Sequence, residues 1–363
     1  MIYFLLLLTI YIWPFGQLLT FTNSSLPFTI YYLDIAVLFV LISLLISSKR
    51  KEIFSGPIIK PLVIFLGVAI FSLLVNLKRG ISSGLPLSTF YLLRLVIYHS
   101  LFFASQHVGF TRLKKPLMIS LGIFLLLGIL QYAIFPDMRY LKNLGFDDHY
   151  FRLIGSFYDP NFTGAVLAAI ALYFVNKSKI FLSIPFVCLL GLTFSRASYL
   201  VFVVGLVYIL VTHKKIKLFF LLILLGIIIY VIPKPFGEGV NLLRTFSIYS
   251  RLGSWQQGGA LFLDKPLLGW GYNTLRGTDN SRFQIDNSYL FLLATTGLFG
   301  IIAFINLFLH IIKNTTNESL KILAFAILFH SLFNNSLFYI WISALYWFAL
   351  GLGQTKIKGY KQA

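Results

Sequence analysis

Four arginines, at positions 152, 196, 244 and 251, and two aspartates, at 159 and 286, are the residues of this chain best suited to chemistry. Arg196 stands in "CLLGLTFSRASYLVFVVGL", Cys188 to Leu206, a stretch otherwise almost wholly apolar. A charge near hydrocarbon costs roughly 3 kcal/mol or more, so Arg196 calls for a partner. Guanidinium groups stay charged and grip phosphate oxygens two at a time. Several of them converging on one aqueous pocket at a membrane surface suit a phosphate-bearing ligand. A lipid diphosphate would place two phosphates there and leave its tail in the bilayer. Asp286, in "DNSYLFLLATTGLFG", can accept a proton from a hydroxyl, particularly if partial burial raises its pKa. It is equally placed to cap the helix that follows. Asp159, in "YDPN", has the same two readings, with Pro160 favouring a plain helix start. Asn161, Asn287 and Trp255 are further candidate contacts, as is His330 in "FHSLFNNSLF", which otherwise reads as a hydrogen-bonded interior histidine.

The elements that must hold these groups are helices in lipid. The chain has 363 residues, of which 58% are hydrophobic and 11% charged, against about 25% charged in a soluble domain. The 38 Phe and 20 Tyr fit aromatic belts at two membrane surfaces. Apolar runs of roughly 17 to 22 residues, each able to span the hydrocarbon as a helix, recur about twelve times, near 2–20, 28–46, 58–77, 85–103, 116–135, 160–175, 179–194, 197–212, 216–232, 287–311, 320–336 and 338–353. The first run lacks the basic flank and small-residue cleavage site of a secretory signal, and is expected to stay as a span. The expectation is an all-α polytopic membrane protein divided into helices one to five (1–135), helices six to nine (136–232), a large partly helical loop (233–286), and the last three helices with a tail (287–363). In that loop "VNLLRTFSIYSRLGSWQQGGALFL" has apolar residues at spacings of three and four, which predicts an amphipathic helix at the interface. Arg244 and Arg251, seven apart, and Trp255 would share one of its faces.

The net charge of +19 is a topology signal. "SSKRKE", "FTRLKKP", "NKSK", "HKKIK", "KNTTNESLK" and "KIKGYK" fall on alternate connections, and that side holds 17 of the 30 Lys and Arg with only Glu52 and Glu318. Basic loops stay cytoplasmic, so both termini are expected inside, with the arginine cluster outside and no nucleic acid as partner. Arg276 and Arg282 would snorkel or cap. Asp34 and Arg94 lie inside apolar runs and are expected to pair. The single cysteine, Cys188, excludes a disulfide within the chain. Asp147–Asp148 could bind a metal, but two neighbouring acids in a polar loop are usually just solvated; no metal or cofactor is expected.

"RLIGSFYDPNFTGAVLA" (Arg152 to Ala168), "LTFSRASYL" (Leu192 to Leu200), "SRLGSWQQGGALFLDKPLLGWGYNTL" (Ser250 to Leu275) and "DNSYLFLLATTGLFG" (Asp286 to Gly300) follow one another in the order and spacing of the O-antigen ligase and polymerase family, which this chain resembles from about Tyr150 to Asn335. The resemblance implies a GT-C-like glycosyltransferase of the bacterial inner membrane that takes a glycan from undecaprenyl pyrophosphate at the periplasmic face. A ligase passes the glycan to the lipid A core; a polymerase passes it to another lipid-linked repeat unit. The family's two essential arginines, thought to hold the pyrophosphate, correspond to Arg196 and Arg251. The ligase pattern has histidine where this chain has Asp286, which weakens the ligase reading and favours a polymerase. Metal-independent, inverting transfer is implied, and a chain-length regulator and the repeat-unit flippase are implied partners. A transporter or flippase is the rival from another class, but no internal repeat is evident and the charges gather at one face. An anchoring or signalling protein would leave the arginines unexplained.

Overall fold

Backbone in lipid must satisfy its own hydrogen bonds, and an unbroken apolar run does so as a helix. The computed structural model describes residues 1–21, 28–77, 85–234, 238–275 and 285–354. Arg276, Arg282 and the basic tail lie outside the described residues. Fourteen α-helices occur among the described residues: α1 (Ile2–Ile12), α2 (Tyr32–Leu45), α3 (Arg50–Ile53), α4 (Ile59–Asn76), α5 (Leu85–Val108), α6 (Phe110–Ile134), α7 (Pro160–Asn176), α8 (Ile180–Leu192), α9 (Arg196–His213), α10 (Phe220–Val231), α11 (Phe246–Asp264), α12 (Ser288–Asn314), α13 (Glu318–His330) and α14 (Ile340–Leu352). Two short strands, β1 (Thr20–Phe21) and β2 (Ile30–Tyr31), pair antiparallel between α1 and α2.

Each expected apolar run contains a helix. Five of them, α4, α5, α6, α9 and α12, are long and apolar enough to cross a membrane. Others are shorter than the runs suggested: α8 has 13 residues and α10 has 12, about 18–20 Å at 1.5 Å per residue. α8 stops because the chain turns sharply at Phe194, whose φ is 50°.

α7 is buried almost all round, from Phe162 to Leu172, and packs against α8, α9 and α13. A helix apolar on every face belongs inside a bundle, and its Gly and Ala residues let neighbours approach closely. A Cβ on Gly164 would stand 2.6 Å from the Ser198 hydroxyl, so glycine there is what lets α7 and α9 close together.

The expected pair forms. Arg94 on α5 donates to both carboxylate oxygens of Asp34 on α2, at 3.0 and 2.6 Å, and the Tyr98 hydroxyl adds a third bond at 2.9 Å. Two buried charges this well satisfied cost little to keep and much to break.

The irregular segment after α11 has a defined place. α12 is broken at Gly297 (φ 67°, ψ −163°), and 266–271 fills the break. Leu298 N–H donates to Pro266 O, and Trp270 N–H and Gly271 N–H donate to Ala294 O and Thr295 O, each at 2.8–2.9 Å. Ser72 of α4 reaches Leu268 O and Thr295 O from behind. The groups freed by the break are thus bonded within protein, which irregular backbone at membrane depth requires. The docking fixes the C-terminal end of α11 against α12.

Candidate functional site

The turn between α8 and α9 is the keystone. Ser195 caps α9, its hydroxyl accepting from Ser198 N–H at 3.4 Å. Arg196 is therefore the first residue of α9, where the helix dipole already presents positive charge. Cation and dipole together disfavour each other and favour an anion. The carbonyls of the turn point the other way and are held from outside it. Arg152 donates Nε to Thr193 O (2.9 Å) and Nη2 to Phe194 O (3.4 Å). Arg244 donates Nη2 to Phe194 O at 3.0 Å. These two arginines brace the strained turn that aims Arg196. Arg196 is itself half-buried and reaches Leu242 O (3.2 Å) and Ser247 Oγ (2.7 Å), which ties α9 to the start of α11.

Arg244 does not share a helical face with Arg251 as the spacing predicted. The chain turns at Asn241, whose Oδ1 accepts from Leu243 N–H, and α11 begins only at Phe246. A seven-residue spacing places two side chains on one face only where both are helical, and Arg244 is not. Its guanidinium instead folds back onto Gly239 O and Asn241 O.

Arg251 and Trp255 do lie on α11, and that helix carries Asp286 with it. Asp286 N–H donates to Ser254 Oγ at 2.9 Å, and Trp255 Nε1 donates to Asp286 O at 3.1 Å. The aspartate backbone is clamped on both sides by consecutive residues of α11, one turn from Arg251. Trp255 is thereby a clamp on Asp286, its ring nitrogen already engaged. The capping alternative for Asp286 does not hold: Asn287 is the cap of α12, its Oδ1 accepting from Tyr289 N–H and Leu290 N–H at 2.9 and 3.0 Å. Asn287 uses its other amide end on Leu332 O, so both ends of this side chain serve the fold. The Asp286 carboxylate is left facing Arg251. Burial raises its pKa, against the pull of Arg251. Burial likewise lowers the pKa of Arg251, with Asp286 opposing and Arg196 adding to the fall. Asp286, Arg251 and Arg196 therefore act on one another's charges across one partly desolvated space.

Asp159 caps α7 through a single oxygen, Oδ1, which accepts from Asn161 N–H (2.6 Å) and Phe162 N–H (3.1 Å). Burial raises its pKa to about 6, against those two bonds. Its charge also reaches Arg251. Asn161 accepts from Ser195 Oγ at 3.0 Å. Arg152 is buried without a carboxylate bonded to it among the described residues, and burial and Arg244 lower its pKa to about 9. His149, which the sequence gave no reason to single out, sits beside these two arginines; burial, then their charges, hold it near 3 and so neutral. His330 is fully buried, with both ring nitrogens engaged (Ser336 Oγ 2.7 Å, Ser198 Oγ 3.3 Å), so it stands behind the pocket rather than in it. No group of three or more His, Cys, Asp or Glu side chains suited to a metal forms among the described residues, Asp147 and Asp148 included.

The arrangement defines a class: a helical membrane protein with a cationic, carboxylate-bearing pocket at one end of its bundle. Comparison with known proteins narrows it. Residues 180–305 match the family model described as O-antigen ligase, which supports the O-antigen ligase/polymerase family, a glycosyltransferase-like group of enzymes. The matched stretch, less than half of the chain, carries Arg196, Arg244, Arg251, Trp255 and Asp286 and leaves out Arg152, Asp159 and His330. No curated protein matches the chain.

Proposed function

We propose that the protein is a polymerase that joins undecaprenyl-pyrophosphate-linked oligosaccharide units into a surface polysaccharide, by inverting transfer without a metal. The observation that carries this is the convergence of Arg196, Arg251 and Asp286, which come from three different elements and share one pocket. The acceptor sugar hydroxyl attacks the anomeric carbon of the donor glycan. Its proton passes to the Asp286 carboxylate. The bond between the anomeric carbon and the diphosphate oxygen breaks, and the electron pair leaves with undecaprenyl diphosphate. Arg196 and Arg251 face the charge that develops on that leaving group, and fixed cations in a desolvated site stabilise such charge far better than mobile ones in water. Arg152 and Arg244 hold the turn from which Arg196 projects. In this reading the chain crosses the bacterial inner membrane twelve times with both termini in the cytoplasm and the pocket at the periplasmic face. A chain-length regulator and the repeat-unit flippase would work beside it.

The rival is a ligase, which the description of the matching family favours; the aspartate at 286 weighs against it. Purified protein given a lipid-pyrophosphate oligosaccharide should release undecaprenyl pyrophosphate and longer glycans. Product formed only when lipid A core is added would make it a ligase, and movement of the lipid across vesicles without product would make it a transporter. Arg196→Ala and Arg251→Ala should each abolish turnover without loss of expression; activity retained in both would end the diphosphate assignment.

A further inference from the structure

His330 and the two asparagines after α13 have no place in the chemistry above, yet they sit between the two arginines that do. His330 Nδ1 meets Ser336 Oγ at 2.7 Å. Its Nε2 meets Ser198 Oγ at 3.3 Å and Asn334 Nδ2 at 3.4 Å. Asn334 Oδ1 accepts from Arg251 Nη2 at 3.4 Å. On the other side, Ser198 Oγ lies 2.9 Å from Ser195 Oγ, and Ser195 is the cap that Arg196 follows. A continuous polar chain thus runs from Arg251 through Asn334, His330, Ser198 and Ser195 to the root of Arg196. Apart from the two arginines it is wholly buried: His330, Ser198 and Ser195 are 0% exposed and Asn334 is 6%.

The chain has a direction. An amide NH₂ cannot accept, so Asn334 Nδ2 requires His330 Nε2 to be the bare, accepting nitrogen, and the ring proton sits on Nδ1, donating to Ser336. With its NH₂ turned to the imidazole, Asn334 must turn its carbonyl oxygen to Arg251. The histidine therefore fixes which face of Asn334 the guanidinium meets. Five buried polar side chains from several elements are expensive unless all are satisfied, and an apolar set would fill the same space. What an apolar set could not do is orient a neutral acceptor on Arg251 while leaving its charge free for a ligand.

We propose that His330 and Asn334 form a buried strut that sets the position of the Arg251 guanidinium relative to Arg196, making both of them positioning residues for a diphosphate headgroup. This rests on the diphosphate reading of the pocket. The strut holds Arg251 by its neutral oxygen, so the positive charge is aimed but not cancelled.

The test uses the full-length protein in nanodiscs with farnesyl diphosphate as the probe, affinity being read by calorimetry and folding by thermal melting. Asn334→Asp keeps an acceptor on Arg251 but cancels its charge, and should weaken binding at least tenfold. His330→Phe removes the acceptor that orients Asn334 and should weaken binding similarly. His330→Gln, which can accept from Asn334 and donate to Ser336, should restore most of the affinity, a rescue that a space-filling role would not give. If His330→Phe melts early, Asn334→Asp decides, because it changes one atom and little volume. Wild-type affinity in folded Asn334→Asp, alongside lost affinity in Arg251→Ala, overturns the strut and leaves the diphosphate pocket standing. No binding by the wild type, or unchanged binding in Arg251→Ala, overturns both.

Discussion

Asp286→Asn separates chemistry from architecture at one position. In the structure the Asp286 backbone, and not its side chain, makes the bonds to Ser254 and Trp255, and Asn287 supplies the helix cap. Replacing the carboxylate by an amide of the same shape leaves all four of those bonds in place. Its effect on stability should stay within about 0.5 kcal/mol, the ordinary range for a change that removes no structural contact. A positioned general base contributes roughly 10²–10⁴-fold to rate, equivalent to about 3–5 kcal/mol of barrier, so turnover should fall by that factor. Asn287→Ala is the mirror case: the lost cap should cost about 1 kcal/mol of stability, with turnover much less affected than in Asp286→Asn. The wild type adds a pH signature. A base must be deprotonated, and burial holds Asp286 above the ordinary carboxylate pKa against Arg251. Turnover should therefore rise with pH through a midpoint above about 4. Release of undecaprenyl pyrophosphate from a purified, reconstituted enzyme measures the rate, and a melting curve on the same sample measures stability. Turnover within threefold of wild type in Asp286→Asn would refute the assignment, and so would a loss of stability as large as that of Asn287→Ala.

Three further outcomes follow from the geometry. Arg251→Lys should retain less than a tenth of wild-type turnover at equal folding, since lysine keeps the charge but not the planar two-point grip; steady-state kinetics checks this. Gly297→Ala would put a Cβ 2.3 Å from the Leu267 carbonyl at a φ of +67°, and strain plus overpacking should cost about 2–5 kcal/mol, visible as an early melting transition with 266–271 undocked. Asp159→Asn preserves a capping oxygen but removes a carboxylate whose folded pKa burial raises to about 6. A raised carboxylate pKa means the folded state holds the proton more tightly, so its stabilising contribution is complete below about pH 4 and is lost as pH rises through 6. The amide variant should therefore match the wild type at pH 4 and be more stable by about 1–2 kcal/mol at pH 8, after allowance for the partial exposure of Asp159; melting curves at the two pH values test the sign.

Where a feature depends on local cost alone, the sequence made it legible. Asp34 and Arg94 could be paired in advance because two charges in apolar runs have few other partners, and the structure joins them directly. Arg196 could be placed at a turn for the same reason. Where a feature depends on register or on contacts across the chain, the sequence misled or was silent. The seven-residue spacing of Arg244 and Arg251 looks helical, but Asn241 turns the chain before α11 starts. Asp286 and Asn287 are both good caps side by side, and only the clamp from Ser254 and Trp255 decides which of them starts the helix. His330 read as either a core residue or a glycan contact; its partners Ser198 and Ser336 come from either side of it in the chain, and nothing local announces them.

The order of apolar runs by itself determined that this is a bundle of membrane helices, because a helix is how backbone in lipid satisfies its own bonds. Composition alone also supplied the arginines and the aspartate that could serve a diphosphate. Only the tertiary structure divided those arginines by task, two bonded to carbonyls of the turn before α9 and two facing Asp286. That division rests on which carbonyls and side chains arrive beside each guanidinium, and those arrive from residues 40 to 80 positions away, as Thr193 does for Arg152 and Asn334 for Arg251.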